Sequence, residues 1–124
     1  SKTSRLMAKK ISRTKLIKKL DTIFSQYIRQ RDAKKEIATC FTCGKKAHWK
    51  KLQNGHFQSR RFYATRWDEM NCQVQCAGCN VFKYGEQFTF GLNLDSRFGA
   101  GITKLSSPDI EDLIDMYANL VKEF

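Results

Sequence analysis

Two pairs of cysteines, and three polar side chains between and beside them, are the residues of this chain that could do chemistry. Cys40-x2-Cys43 and Cys76-x2-Cys79 are CxxC pairs with thirty-two residues between them. Four thiolates at this spacing form the ligand set of a structural zinc ion. The cysteine count is five, an odd number, and the N-terminus has no apolar leader, which argues against a disulfide framework. The expected compartment is therefore reducing and intracellular. Cys72 is left over and is expected as a small buried residue, not a ligand. The gap between the pairs is longer than in a simple zinc ribbon, so something else must be folded inside it.

His56 stands thirteen residues after Cys43, and Asn71 stands fifteen further on. Asn80 directly follows Cys79, with Lys83 and Gly85 just beyond. Three roles are open to His56: metal ligand, packing residue or base. Four thiolates complete a tetrahedral zinc shell, which leaves no vacancy for it. An imidazole titrating near about 6.5 can take a proton from water at neutral pH. An asparagine carbonyl is a hard oxygen ligand, suited to Mg²⁺ or Mn²⁺ and poor for zinc. Ligand chemistry thus separates two metals, a zinc on sulfur and a hard cation on oxygen. The plainer alternatives are a satisfied structural His56, a helix-capping Asn80 and a solvated Lys83. His48 reads as an exposed loop histidine, with a ligand role as the alternative.

Histidine, asparagine and asparagine framed by two CxxC pairs make up the arrangement of an HNH nuclease. The stretch Cys40 to Gly85 resembles the zinc-bearing HNH, or ββα-metal, endonucleases. "CFTCG…NGHF…MNCQVQCAGCNVFKYG" is similar in particular to the NinG (Rap) recombination proteins of lambdoid phages. The basic helix before the motif, and the "RFG" segment with a helix after it, extend the likeness over residues 14 to 124. The resemblance implies an α+β fold, with a small ββα-metal core and a four-cysteine zinc site. That core would be flanked by an N-terminal basic helix and by C-terminal helices.

The resemblance further implies a metal-dependent DNA endonuclease acting on branched recombination intermediates, such as Holliday junctions or D-loops. Its implied setting is the cytoplasm of a bacterial host. It makes His56 the general base and Asn71 the residue that holds the hairpin loop. It makes Asn80 a ligand of the catalytic Mg²⁺ or Mn²⁺, and Lys83 a phosphate contact near the cut. One departure concerns the second protein ligand. Many HNH nucleases carry aspartate or histidine immediately before the base, whereas this chain has Gly55, with Asn54 before it as a weaker candidate.

Length and charge fit this reading. A chain of 124 residues suits one domain, and a core this small gains from a metal staple. The net charge of +11 is uneven. Residues 1–37 carry twelve Lys/Arg against three acids, and residues 38–85 carry eight against two. Residues 86–124 carry three against seven. The first two thirds present a surface for a polyanion, nucleic acid before any other. Arg60, Arg61 and Arg66 follow the histidine and are expected to grip phosphates. The interleaved Phe62, Tyr63 and Trp67 read as core before base-stacking platforms. No run of eighteen apolar residues is present, so no membrane helix is expected.

The elements that must position these residues are legible in part. Residues 1–13 read as a basic arm, followed by a single domain over 14–124. Ile17, Leu20, Phe24, Tyr27 and Ile28 recur at helical spacing, which predicts a helix over 14–38. Residues 39–85 form the zinc and ββα region, with an irregular hairpin over 39–66. A short helix is expected from the second CxxC pair to Gly85. Another is expected over 86–98, stopped by Gly99 and weakened by Gly91. Ser107 as cap and Pro108 at the first position open a last helix. Its apolar stripe runs from Ile110 to Phe124, and it is read as a packing helix that could also serve a homodimer.

Two functions fit the cysteines and the charge: a nuclease, and a non-catalytic zinc-finger module that binds DNA. Only the first explains His56, Asn71 and Asn80 together, while Gly55 favours the second. Under either, Lys9, Lys10, Arg13, Lys15, Lys18 and Lys19 are expected on phosphates. Removing a few of these charges should weaken DNA binding and flatten its salt dependence by about one unit of slope per lost contact. Titration of affinity against salt checks this; an unchanged slope would place the region off the DNA.

Overall fold

The computed structural model describes residues 12–99 and 110–121. Lys9, Lys10, Ser107, Pro108 and Phe124 lie outside these residues, as does most of the expected basic arm. The first helix, α1 (Arg13–Arg31), starts at Ser12, whose hydroxyl accepts the Lys15 N–H at 3.3 Å. Leu20, Phe24 and Ile28 recur every four residues and bury one face. Arg13, Lys15, Lys18 and Lys19 are exposed.

The helix stops at Arg31 and not at Ala38, as the apolar pattern had suggested. Lys35 and Glu36 take left-handed conformations, with φ of 49° and 67°, and turn the chain back. Residues beyond that turn are needed elsewhere. Strand β1 (Ile37–Thr39) pairs antiparallel with β2 (Lys46–His48), with Ala38 opposite Ala47. The connection between them carries Cys40 and Cys43 and closes on Gly44, at φ 80°.

A 3₁₀ turn over Trp49–Lys51 leads into β3 (Gln53–His56). The sequence suggested a hairpin confined to residues 39–66. Instead β3 pairs with β4 (Cys72–Gln75), in a register that sets His56 opposite Cys72. The intervening chain holds a single helical turn, α2 (Tyr63–Arg66). β1 and β2 already satisfy one another, so β3 finds its partner across the longer connection.

After β4 the chain makes a π-helical turn over Gly78–Phe82. Tyr84, Gly85 and Glu86 follow in left-handed conformations, with φ of 52°, 83° and 51°. Helix α3 (Gln87–Phe98) ends at Gly99, whose φ of 84° a glycine takes without strain. Gly91 has a packing reason: a Cβ there would lie 3.2 Å from the Phe57 ring. Helix α4 (Ile110–Leu120) packs on α1. Its Ile114 and Tyr117 are buried, and the Tyr117 ring meets Phe24 edge-on at 4.7 Å.

The result is an α+β architecture of two small antiparallel sheets and flanking helices. One core joins α1, α4, Trp67 and Cys72; a second gathers Ala38, Trp49 and Leu52 around Cys40, Cys76 and Cys79. Among the described residues no helix is long and apolar enough to cross a membrane.

Candidate metal centre and cleft

The second core surrounds the four cysteines of the two pairs. Their sulfurs all lie within 4.8 Å of one another, and the Cys43 and Cys76 sulfurs are 3.7 Å apart. Four sulfurs about 2.3 Å from a tetrahedral zinc ion would be separated by about 3.8 Å, so the cluster has the size and donor set for that metal. Cys40, Cys76 and Cys79 are buried and Cys43 is exposed. The local backbone sets them. The Gly44 N–H returns to the Cys40 carbonyl at 3.0 Å, and the Asn80 N–H returns to the Cys76 carbonyl at 2.9 Å. Cys72 lies in the other core, and burial pushes its thiol up, far from the thiolate a metal needs.

His56 and Asn80 line one cleft of about 350 Å³, with Asp21, Asn54, Arg60 and Arg66 also on its walls. The His56 Nε2 lies 2.8 Å from the Arg66 carbonyl oxygen. A carbonyl can only accept, so in the neutral ring Nε2 carries the hydrogen and Nδ1 keeps the lone pair. Burial holds the imidazole below the usual histidine range. The Arg66 carbonyl and Asp21 oppose that shift, and the Arg60 charge reinforces it.

Arg66 is itself fixed. Its Nε donates to Asp21 Oδ1 at 2.9 Å and its second terminal nitrogen to Asp21 Oδ2, a two-pronged pair. The remaining terminal nitrogen donates to the Arg60 carbonyl at 3.0 Å, and Trp67 Nε1 donates to Asp21 Oδ1 at 3.0 Å. Asp21 and a backbone carbonyl hold the guanidinium of Arg66, the residue read from the sequence as a phosphate contact. Arg60 and Arg61 remain exposed on the same loop, and Lys83 is exposed after the π turn. Trp67 is buried against α1, whereas Phe62 and Tyr63 stay partly in solvent.

Asn71 is fully buried and ties the two ends of the 57–65 loop together. Its Nδ2 donates to the carbonyls of Thr65 at 2.9 Å and Gln58 at 3.2 Å, and its Oδ1 accepts the Gln58 N–H at 2.7 Å. Asn80 directs its Nδ2 to Gln53 Oε1 at 2.8 Å, so its side-chain oxygen would be the atom to meet a cation. Asn54 Oδ1 is buried with no hydrogen-bond partner among the described residues. Asn54 and Asn80 line the same cleft, and a buried amide oxygen without a partner has the donor chemistry that a hard cation takes.

Gly55 also has a physical account. A side chain there would collide with the Gln75 side chain, which crosses the strand. Gln75 Nε2 donates to Thr42 Oγ1 at 3.1 Å and to the Gly85 carbonyl at 2.9 Å, linking the cysteine turn to the end of the π turn. An acid before His56 would break that link. His48 belongs to a different place: its Nε2 meets Glu36 Oε2 at 2.9 Å and its Nδ1 accepts the Lys50 N–H at 3.1 Å. Sequence reading missed Asp21, which sits in a helix with no local signal, and Gln75.

The four-sulfur cluster yields a direct expectation. Purified protein should carry one zinc per chain by elemental analysis. Replacing Cys76 by alanine should remove the metal and unfold much of residues 39–85, because the two pairs close that segment. Metal-free wild-type protein that remains folded would contradict it.

A family model described as Bacteriophage Lambda NinG protein matches residues 1–123. The searches of curated proteins and of solved structures returned no match. The matched span includes both cysteine pairs, the cleft and nearly the whole chain, and the protein therefore belongs to the NinG family of bacteriophage lambda.

Proposed function

We propose that this protein is a metal-dependent DNA endonuclease of the HNH, or ββα-metal, type. Its substrates would be branched recombination intermediates, Holliday junctions and D-loops among them, cut in the host cytoplasm where phage DNA is processed. The observation that carries this reading is the cleft. It joins a histidine whose tautomer leaves Nδ1 as a base to two asparagine oxygens, one of them orphaned.

In this mechanism the Nδ1 of His56 takes a proton from water as the water oxygen attacks phosphorus. The new P–O bond forms while the bridging P–O bond to the leaving oxygen breaks; that oxygen takes a proton from solvent and leaves as the alcohol, and the imidazolium returns its proton to solvent. Burial keeps His56 neutral and ready to accept the proton, and the nearby Asp21 charge eases formation of the imidazolium. Asn80 and Asn54 would hold Mg²⁺ or Mn²⁺, which when bound supplies positive charge to the phosphate oxygens. Arg60 on the cleft wall binds a neighbouring phosphate. Asn71 positions the loop that follows His56. Lys83, Arg61 and the exposed cations of α1 extend the phosphate track. Paired cuts across a junction need two such clefts, so a homodimer on the DNA is part of the proposal.

A second reading, a non-catalytic zinc module that binds DNA, draws on two observations. Position 55 bears no side chain, and Asp21, the acid on the cleft wall, is already paired with Arg66. A nicking assay on plasmid and junction DNA, with and without added Mg²⁺ or Mn²⁺ at constant zinc, separates the two. His56→Ala should keep its zinc and its DNA affinity while cutting about 10²–10⁴-fold more slowly, the usual worth of a general base. Asn80→Ala should lose cutting together with Mn²⁺ affinity. No metal-dependent cutting by wild type would leave the binding module standing, and full-rate cutting by His56→Ala would move the base elsewhere.

A further inference from the structure

The turn that carries Asn80 continues into a run of exposed apolar side chains. Val81, Phe82, Tyr84 and Phe88 are 52, 78, 89 and 79% exposed, all within eight residues. Neither core uses these rings. A soluble domain rarely leaves three aromatic rings so open in one short segment without a partner for them. Tyr84 and Glu86 are also held in left-handed backbone on either side of Gly85, and the Gly85 carbonyl is anchored by Gln75. The rings are thus presented from a braced turn.

We propose that Phe82 and Tyr84 form a stacking wedge for unpaired bases at the opening of a branched DNA, beside the strand held in the cleft. This rests on the nuclease reading above and narrows its substrate to DNA with accessible bases. Position supports it: Phe82 and Tyr84 lie two and four residues beyond Asn80, which lines the cleft. Charge decides the class of partner. Lys83 stands between the two rings and is exposed, and residues 38–85 carry eight basic groups against two acids. An apolar protein face laid over this patch would bury the Lys83 ammonium without a counter-charge, which is costly. An unpaired nucleotide offers a flat ring to each aromatic and a phosphate to the lysine in the same step. Stacking is indifferent to base identity, so such a wedge would sense opening of the duplex and not its sequence.

The test uses the full chain with its zinc in place and no added Mg²⁺ or Mn²⁺, so that nothing is cut. Binding of Phe82→Ala/Tyr84→Asn is compared with wild type on a blunt duplex and on a forked duplex with an unpaired arm. Asparagine is chosen because it tolerates the left-handed backbone at position 84. The variant should bind the fork about tenfold or more weaker, bind the duplex within about twofold, and keep the same salt slope. Unchanged fork affinity would overturn the wedge, and so would an equal loss on both DNAs. In a parallel assay with Mg²⁺ or Mn²⁺ added, wild type nicking plasmid normally beside a variant of unaffected fork binding would sink the wedge and spare the nuclease. If wild type neither binds nor cuts DNA, the underlying reading falls and the wedge falls with it. Loss of self-association without loss of fork binding would reassign the patch to a second copy of the chain. Should the variant misfold by circular dichroism, photocrosslinking of wild type to 5-iodouracil in the unpaired arm replaces it. Adducts at Phe82 or Tyr84 support the wedge, and adducts confined to other residues overturn it.

Discussion

The carboxylate of Asp21 is the interaction on which the cleft depends. It accepts the guanidinium of Arg66 from two nitrogens and the indole N–H of Trp67, residues 45 and 46 positions away in the chain. Both ion-pair partners are largely withdrawn from water, with 14% of the Arg66 and 24% of the Asp21 side chain exposed. A pair in such a place adds little net stability over a well-packed apolar contact, but breaking it from one side leaves a stranded charge. Its value here is geometric. It clamps the loop after β3 to α1, and so fixes the Arg66 carbonyl that receives His56 Nε2 and the Cys72 thiol. Asn71 then closes the same loop from within.

The cysteine cluster plays the complementary part. It joins the β1–β2 turn to the chain after β4, and Gln75 extends that link from Thr42 across Gly55 to Gly85. Asn80 follows the last of the four cysteines, so its location is set by the cluster. The two asparagine oxygens and the imidazole thus arrive from differently braced segments. One brace is ionic and one has the donors of a metal site. Position 55 is a glycine because the Gln75 side chain that crosses there needs the room.

What could be read in the sequence was the chemistry that is local. Thiolate pairs at CxxC spacing declare themselves, and Gly99 stops α3 where a glycine should. The NinG likeness rests on such short runs, and the family match spans residues 1–123. The pattern misled where distant or non-local effects decide. The helical stripe of α1 gives no warning that Lys35 and Glu36, neither a glycine, turn left-handed and release β1. β3 reads as half of a local hairpin, yet its partner lies beyond a loop that Asn71 holds together. Arg66 looked like its exposed neighbours Arg60 and Arg61, and only the fold brings Asp21 to it. An unpaired amide oxygen such as that of Asn54 is visible only once its surroundings are known.

The central claim is that this scaffold holds His56 neutral, with Nε2–H on the Arg66 carbonyl and the lone pair left on Nδ1. The chain has two histidines, so ¹⁵N-histidine NMR resolves the question directly, with a His48→Gln sample for assignment. The account predicts the Nε2–H tautomer for His56 and a titration below about 6.5, because burial disfavours the imidazolium. The sign carries over to folding: the unfolded chain takes that proton first, so this histidine weakens the fold as pH drops below its unfolded value. An Nδ1–H tautomer, or a titration above that of a free histidine, would contradict the account.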